Sequence, residues 1–218
     1  MTYSGHVVPG GPPDVRELAG LTITKMSVGE MDNNTYLLRC QHTDEQLLID
    51  AAAEGPRILE LVGSSGLSSI VTTHRHWDHV GALGEVREVT GARTYAGADD
   101  VEEIPVPTDV PLADGDVIEV GDHRLEVIHL VGHTPGSVAL LYDDPAGTPH
   151  LWTGDSLFPG GVGNTFGSAE NFRSLLHDVR TKLFDRLPDE TWFYPGHGRD
   201  STLGAERPHL GEWEARGW

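Results

Sequence analysis

The sequence predicts a mixed α/β (α+β) fold in which two β-sheets are covered by helices. Short apolar segments rich in β-branched residues fall into two separate groups, at residues 21–52 and 117–158. Amphipathic helical patterns follow each group, and one further strand pattern closes the series. This order fits two sheets with helices outside better than a regular alternation of parallel strands and helices.

The length of 218 residues is sufficient for one domain with a well-filled core. Residues 1–20 include Gly10, Gly11, Pro12 and Pro13 and show little periodicity, which predicts a loosely attached N-terminal arm. We therefore expect residues 21–218 to form a single domain.

The first group of elements is expected to be a meander followed by two helices. Its strands are predicted at residues 21–29, 34–40, 46–52 and 68–74. A helix is predicted at residues 56–66, with Ile58 and Leu61 on its apolar face. Val80, Leu83 and Val86 recur every three residues and predict a second helix from about Asp78 to Gly91.

The second group begins after an irregular, proline-containing connection at residues 99–113. Alternating residues around Gly121 and Asp122 predict a β-hairpin over 117–130. Further strands are predicted at residues 137–143, 150–158 and 191–196, with a long helix at 170–187. The tail at 206–218 matches no pattern.

Charge and composition exclude several classes of function. Fifteen Lys and Arg against 34 Asp and Glu give a formal charge of −19, which would repel a phosphate backbone. We expect a small-molecule substrate and no nucleic-acid or membrane partner, because a membrane span needs about 18 consecutive apolar residues and none occurs. A single cysteine, Cys40, and an N-terminus unlike a signal peptide favour the cytoplasm.

The most informative motif is HxHxDH, formed by His74, His76, Asp78 and His79 directly after a predicted strand. Positions two apart in an extended segment point the same way, so His74 and His76 can reach one metal ion. Asp78 and His79 lie at the start of the following helix and can serve a second ion. Imidazole with carboxylate suits zinc, with iron or manganese as alternatives.

Three more candidate ligands follow apolar strand patterns, and each lies beside a glycine: His133, Asp155 and His197. Glycine permits the tight turns and close backbone approach that a crowded metal centre requires. The three signals are weak separately and strong as a set.

Together with Asp50, these motifs resemble the metallo-β-lactamase superfamily, and specifically its short glyoxalase II-like hydrolases, over residues 21–198. The resemblance implies a four-layer αββα sandwich. It also implies two divalent metal ions: the first on His74, His76 and His133, the second on Asp78, His79 and His197, with Asp155 bridging both.

The resemblance implies a dinuclear zinc hydrolase that cleaves a thioester or ester of a small molecule. A metal-bridging hydroxide is the expected nucleophile, since coordination lowers the pKa of water to near 7. Asp78 is the expected catalytic residue, with a proton held near it for the leaving group. Asp50, Thr73 and Thr134 are candidates for hydrogen bonds that orient the histidines.

Departures from related groups narrow the prediction. Asp155 and the absence of an export signal argue against a secreted β-lactamase, and His76 replaces the glutamate of the diiron flavoproteins. Only about twenty residues follow His197, whereas full-length glyoxalase II proteins carry a further helical domain, and Asn164 stands where short relatives often have arginine. A lactonase, a mononuclear iron persulfide dioxygenase and a metal-retaining protein without turnover remain as alternatives.

Overall fold

A computed structural model describes residues 3–217. Met1 and Thr2, which belong to the predicted arm, and Trp218, the last residue of the unassigned tail, lie outside this range. Within the described residues, no helix is both long enough and apolar enough to cross a bilayer.

The first sheet has seven strands, which lie side by side in chain order: β1 Asp14–Glu17, β2 Leu21–Val28, β3 Asn33–Cys40, β4 Gln46–Ile49, β5 Ser69–Thr72, β6 Arg93–Gly97 and β7 Val110–Leu112. The strands from β1 to β4 form an antiparallel meander, and those from β4 to β7 pair in parallel. The helices between the parallel strands are α1 Gly55–Val62, α2 Trp77–Val80 and α3 Leu83–Thr90.

The second sheet has six strands in the order β15-β14-β11-β10-β9-β8. In chain order its strands and the small hairpin β12–β13 are β8 Val117–Val120, β9 His123–His129, β10 Val138–Tyr142, β11 His150–Gly154, β12 Leu157–Phe158, β13 Gly161–Val162, β14 Trp192–Pro195 and β15 Ser201–Thr202. The remaining helices are α4 Ala169–Asp178, α5 Leu203–Glu206 and α6 Leu210–Arg216, with a π-helical segment at Val179–Phe184 directly after α4.

Successive side chains of a strand point to opposite faces of its sheet, so each sheet packs against the other sheet on one face and against helices on the other. Leu47 and Ile49 of β4 point into the core between the sheets, whereas Leu48 points outward against the first group of helices. On the other side, α4 packs Phe172 and Leu175 against the outer face of the second sheet. The predicted four-layer αββα sandwich is confirmed.

Several local predictions were wrong. The predicted loose arm contains β1, which pairs with β2 from Asp14 to Glu17, because the alternating exposure of this short segment suits a sheet edge. The predicted irregular connection at 99–113 contains β7, which pairs with β6 at the opposite edge of the same sheet. The helix predicted from Asp78 to Gly91 is divided into α2 and α3, since the amide of Ala82 donates to the carbonyl of Ala51 instead of continuing the helix. The unassigned tail forms a 3-10 turn at Arg207–His209 and the helix α6.

The candidate site lies at the edge of the sandwich where β11 and β14 end. The strands β11 and β14 are parallel, so their carboxyl ends meet there. The predicted strand at 150–158 is interrupted at this edge, between the end of β11 at Gly154 and the start of β12 at Leu157, and Asp155 occupies the interruption.

Candidate metal centre

The structure brings all seven predicted ligands together. His74, His76 and His133 form a first triad whose potential ligand atoms lie within 4.8 Å of one another. His74 and His76 follow β5, and His133 lies in the loop between β9 and β10. The His76 ring stands nearly perpendicular to both others, with centroids 4.7 Å from His74 and 4.5 Å from His133. Three imidazoles thus converge on one point.

A second triad consists of Asp78, His79 and His197, again within 4.8 Å. Asp78 and His79 belong to α2, and His197 follows β14. Nε2 of His197 lies 3.2 Å from Nε2 of His79 and 3.4 Å from Oδ2 of Asp78. This set resembles the mixed imidazole and carboxylate ligands of divalent metals.

Asp155 lies between the triads. One of its oxygens, Oδ1, is 3.4 Å from Nε2 of His79, and the other, Oδ2, is 3.6 Å from Nε2 of His133. Burial favours its neutral form, but the approach of His197 and His79 holds the pKa of Asp155 well below its usual range. The ionised carboxylate of Asp155 is therefore available to both triads.

Asp50 orients one ligand directly and another through Thr73. Its carboxylate accepts hydrogen bonds from the amide of Thr73 (2.7 Å), the hydroxyl of Thr73 (2.8 Å) and Nδ1 of His79 (2.9 Å). Because that hydroxyl donates to Asp50, its oxygen can accept from Nδ1 of His74 at 3.1 Å. Both histidines then turn the lone pair of Nε2 toward the site.

Backbone carbonyls orient two more ligands in the same way. Nδ1 of His133 donates to the carbonyl oxygen of Asn164 (2.8 Å), and Nδ1 of His197 donates to that of Met31 (2.9 Å). Their Nε2 atoms also face inward as acceptors.

This arrangement fits a metal centre. The Nε2 atoms of His74 and His133 are 3.3 Å apart, so two lone pairs face each other with no donor between them. Oδ1 of Asp155 is buried and accepts no hydrogen bond from any part of the chain between residues 3 and 217. A cation placed among these atoms would satisfy all of them.

The two triads differ electrostatically. Burial lowers the pKa of His74, His76 and His133 below the usual value for histidine, so the first triad is neutral, the form in which imidazole binds metal. Burial acts in the same direction on His79, but the carboxylates of Asp50 and Asp155 outweigh it and raise its pKa to about 10. In the absence of metal the second triad therefore retains a proton.

Two glycines allow the ligands to pack this closely. A Cβ at Gly196 would overlap Oδ1 of Asp155 and lie 2.8 Å from Cε1 of His79. Gly154 has a left-handed backbone, with φ at 48°, and a Cβ there would lie 2.6 Å from the hydroxyl oxygen of Thr73. These contacts give the glycines beside the ligands a specific steric role.

A cleft of about 300 Å³ opens beside the first triad, and His76, His133 and Phe166 contribute to its wall. The Phe166 ring is 67% exposed and its centroid lies 5.6 Å from that of His76. Asn164 holds this loop, since its side chain accepts from the amide of Phe166 (2.8 Å). The exposed Trp77 lies next to His76 in the chain. The volume of this cleft is at the lower end of the range for small-molecule binding sites.

Sequence reasoning missed two polar residues of the site. The side-chain amide of Asn33 donates to Oδ2 of Asp78 (2.9 Å) and lies 3.4 Å from Nε2 of His197. The carboxylate of Asp100 contacts the loops of the first triad, including Thr134. Neither residue lies in a motif: Asn33 begins β3, and Asp100 lies in the connection before β7.

A sandwich that carries a triad of three histidines, a triad of two histidines and an aspartate, and a second aspartate between them defines a metal-binding protein of the metallo-hydrolase class. The sequence model of the metallo-beta-lactamase superfamily matches residues 28–197, and the chain belongs to that superfamily.

Relatives and solved structures agree with this assignment. The hydroxyacylglutathione hydrolase of Cereibacter sphaeroides is 37% identical over 169 residues, which are 76% of this chain and 62% of that protein. The chain thus spans less than two thirds of that relative. The probable metallo-hydrolase YqgX of Bacillus subtilis is 30% identical over 84% of this chain and 93% of its own. The crystal structure of TTHA1623 in a di-iron-bound form superposes with a TM-score of 0.71 at 30% identity, covering 84% and 96% of the two chains.

Proposed function

We propose that the protein is a dinuclear zinc hydrolase that cleaves a thioester or ester of a small molecule, as hydroxyacylglutathione hydrolases do. The observation that supports this proposal best is the position of Asp155. Its two carboxylate oxygens lie 3.4 Å from His79 and 3.6 Å from His133, one residue from each triad. A carboxylate so placed can bridge two cations a few ångströms apart, the arrangement of two-metal hydrolytic sites.

The chain's own residues support the chemistry in distinct ways. When bound, two zinc ions would activate water at neutral pH and polarise the carbonyl of the substrate. Asp78 accepts the hydrogen bond of Asn33 through Oδ2, so Oδ1 is the oxygen that would hold a proton for the leaving group. Asp50 fixes the His79 ring in the required tautomer.

A thioester is preferred to a lactone for two reasons. The relative from Cereibacter sphaeroides is named as a hydrolase of hydroxyacylglutathione, which is a thioester. A departing thiolate is also a good ligand for zinc. The same attack would open a lactone, so lactones are the first alternative substrates to assay.

The second triad favours this proposal over a dioxygenase with a single iron. Asp78, His79 and His197 converge as closely as the first triad, which a mononuclear site does not require. The di-iron form of TTHA1623 makes iron the alternative metal to measure.

The proposal is tested by metal content per chain together with hydrolysis of a 2-hydroxyacyl thioester of glutathione. We expect two zinc ions per chain, and a loss of turnover of about 100-fold or more in His76→Ala and Asp155→Ala. His177→Ala, an exposed change on α4, is the matched control and should keep full activity. Undiminished turnover by metal-free protein would refute the proposal. One iron per chain with oxygen consumption on a persulfide would favour the dioxygenase.

A further inference from the structure

The carboxylate of Asp100 is completely buried and lies beneath the first triad. Oδ2 accepts hydrogen bonds from the amide of Arg75 (3.1 Å) and the hydroxyl of Thr134 (2.6 Å). Oδ1 accepts from the amide of Gly136 (2.9 Å) and lies 3.6 Å from Nε of Arg75. The connection between β6 and β7 thus places a buried carboxylate here, and each of its two oxygens accepts at least one hydrogen bond.

These partners belong to the two loops that carry the first triad. Arg75 stands between His74 and His76, and Thr134 directly follows His133. One rigid carboxylate therefore joins both loops by short hydrogen bonds, and its position sets their separation. The close fit extends to the backbone, because a Cβ at Gly136 would lie 2.5 Å from the amide nitrogen of Asp100.

We propose that Asp100 is a positioning residue for the first metal triad, acting through the backbone of Arg75 and through Thr134. This inference rests on the proposed function, since it assumes that the triad binds a metal ion. Asp100 has no contact with the second triad, where Asp50 orients His79 instead. Asp50 reaches both triads, since it also contacts His74 through Thr73, so Asp100 is the buried carboxylate that acts on the first triad alone.

A selective effect distinguishes positioning from general support of the fold. Asp100→Asn keeps the shape of the side chain, but its amide group cannot accept the hydrogen bonds that one carboxylate oxygen accepts now. We expect zinc affinity at the first site to fall by about 10- to 100-fold, as for other residues that orient metal ligands. Affinity at the second site should stay within about threefold of wild type, since Asp100 has no contact with that triad.

The experiment is a zinc titration of the purified protein, with X-ray absorption at the zinc edge to count histidine ligands. At one equivalent of zinc, the wild-type spectrum gives the reference distribution between the first site, with three histidines, and the second site, with two histidines and a carboxylate. Asp100→Asn should shift this distribution toward the second site. Asp99→Asn, an exposed neighbour, is the matched control and should behave as wild type.

The possible results separate this inference from the proposed function. Unchanged affinity in Asp100→Asn, or an equal loss at both sites, would overturn the inference. Should Asp100→Asn fail to fold, Thr134→Val removes only one of the donors and should weaken the first site in the same selective way; an unchanged first site in that variant would also overturn the inference. Zinc binding without thioester hydrolysis would refute the proposed function alone.

Discussion

Nζ of Lys25 lies 2.6 Å from Oδ1 of Asp200, and both side chains are buried. Lys25 also donates to the carbonyl oxygens of Gly5 (2.9 Å) and Gly198 (2.7 Å), so all three ammonium hydrogens have acceptors. The pair joins the N-terminal segment to the loop that begins at His197. A segment that the sequence predicts to be loose is thus fastened next to a metal ligand.

Replacing Lys25 by Met should destabilise the protein by about 3–5 kcal/mol, because Asp200 would remain buried without its partner. Arg180→Met removes an exposed ion pair with Glu214 and should cost less than about 1 kcal/mol. Urea unfolding of both variants checks this. An equally small effect for Lys25→Met would show that the buried pair contributes little.

A methyl group at position 196 should damage the metal site. Gly196→Ala places its Cβ against Asp155 and His79, and we expect metal affinity to fall by about 10- to 100-fold. Gly211→Ala is a suitable control, since a Cβ there meets no atom within 4 Å. It lies in α6 and should raise stability by about 0.5–1 kcal/mol. Equal metal binding by the two variants would contradict the expectation.

His150 should make stability depend on pH. Burial, with the nearby charge of Arg16, lowers the pKa of His150 to about 4, compared with about 6.5 in an unfolded chain. As the pH falls from 6.5 to 4, the unfolded state gains a proton that the folded state does not, so the free energy of unfolding decreases. The decrease should reach about 3 kcal/mol and be complete near pH 4.

This dependence is measured by urea unfolding between pH 7.5 and 4. His150→Gln should make the curve less steep over that range, although buried His74, His76 and His133 still contribute to its slope. His177→Gln, on the exposed face of α4, is the matched control. An unchanged slope in His150→Gln would assign the effect to another group.

Removal of metal should lower the melting temperature. A ligand at 1,000 times its dissociation constant stabilises the folded state by about 4 kcal/mol, which corresponds to roughly 10 °C for a chain of this size. We expect a chelator to produce such a decrease in the wild type and almost none in Asp155→Ala. Differential scanning calorimetry measures both, and identical shifts in the two proteins would place the stabilising metal elsewhere.

The layers and most strands could be predicted from the sequence because their signals are local. The apolar run of β4, the alternation in the β8–β9 hairpin and its Gly121–Asp122 turn depend only on neighbouring residues. The short edge strands β1 and β7 were missed, since three or four residues beside prolines carry no periodicity and form strands only by pairing with a neighbour.

The seven candidate ligands were also predictable, because HxHxDH is compact and the other three ligands follow strands beside glycine. Asp100 and Asn33 were not. Their importance comes from the loops that the fold places against them, and a lone carboxylate or amide in a connection has no spacing to mark it.

Each triad takes ligands from both halves of the sandwich. His74 and His76 follow a strand of the first sheet, while His133 follows one of the second, and the second triad is divided in the same way. Neither half can enclose a cation by itself, so tight coordination must await the docking of the two sheets. Tight metal binding is therefore expected late in folding, after the two sheets have docked. A chain whose sheets dock incorrectly would have only weak metal sites.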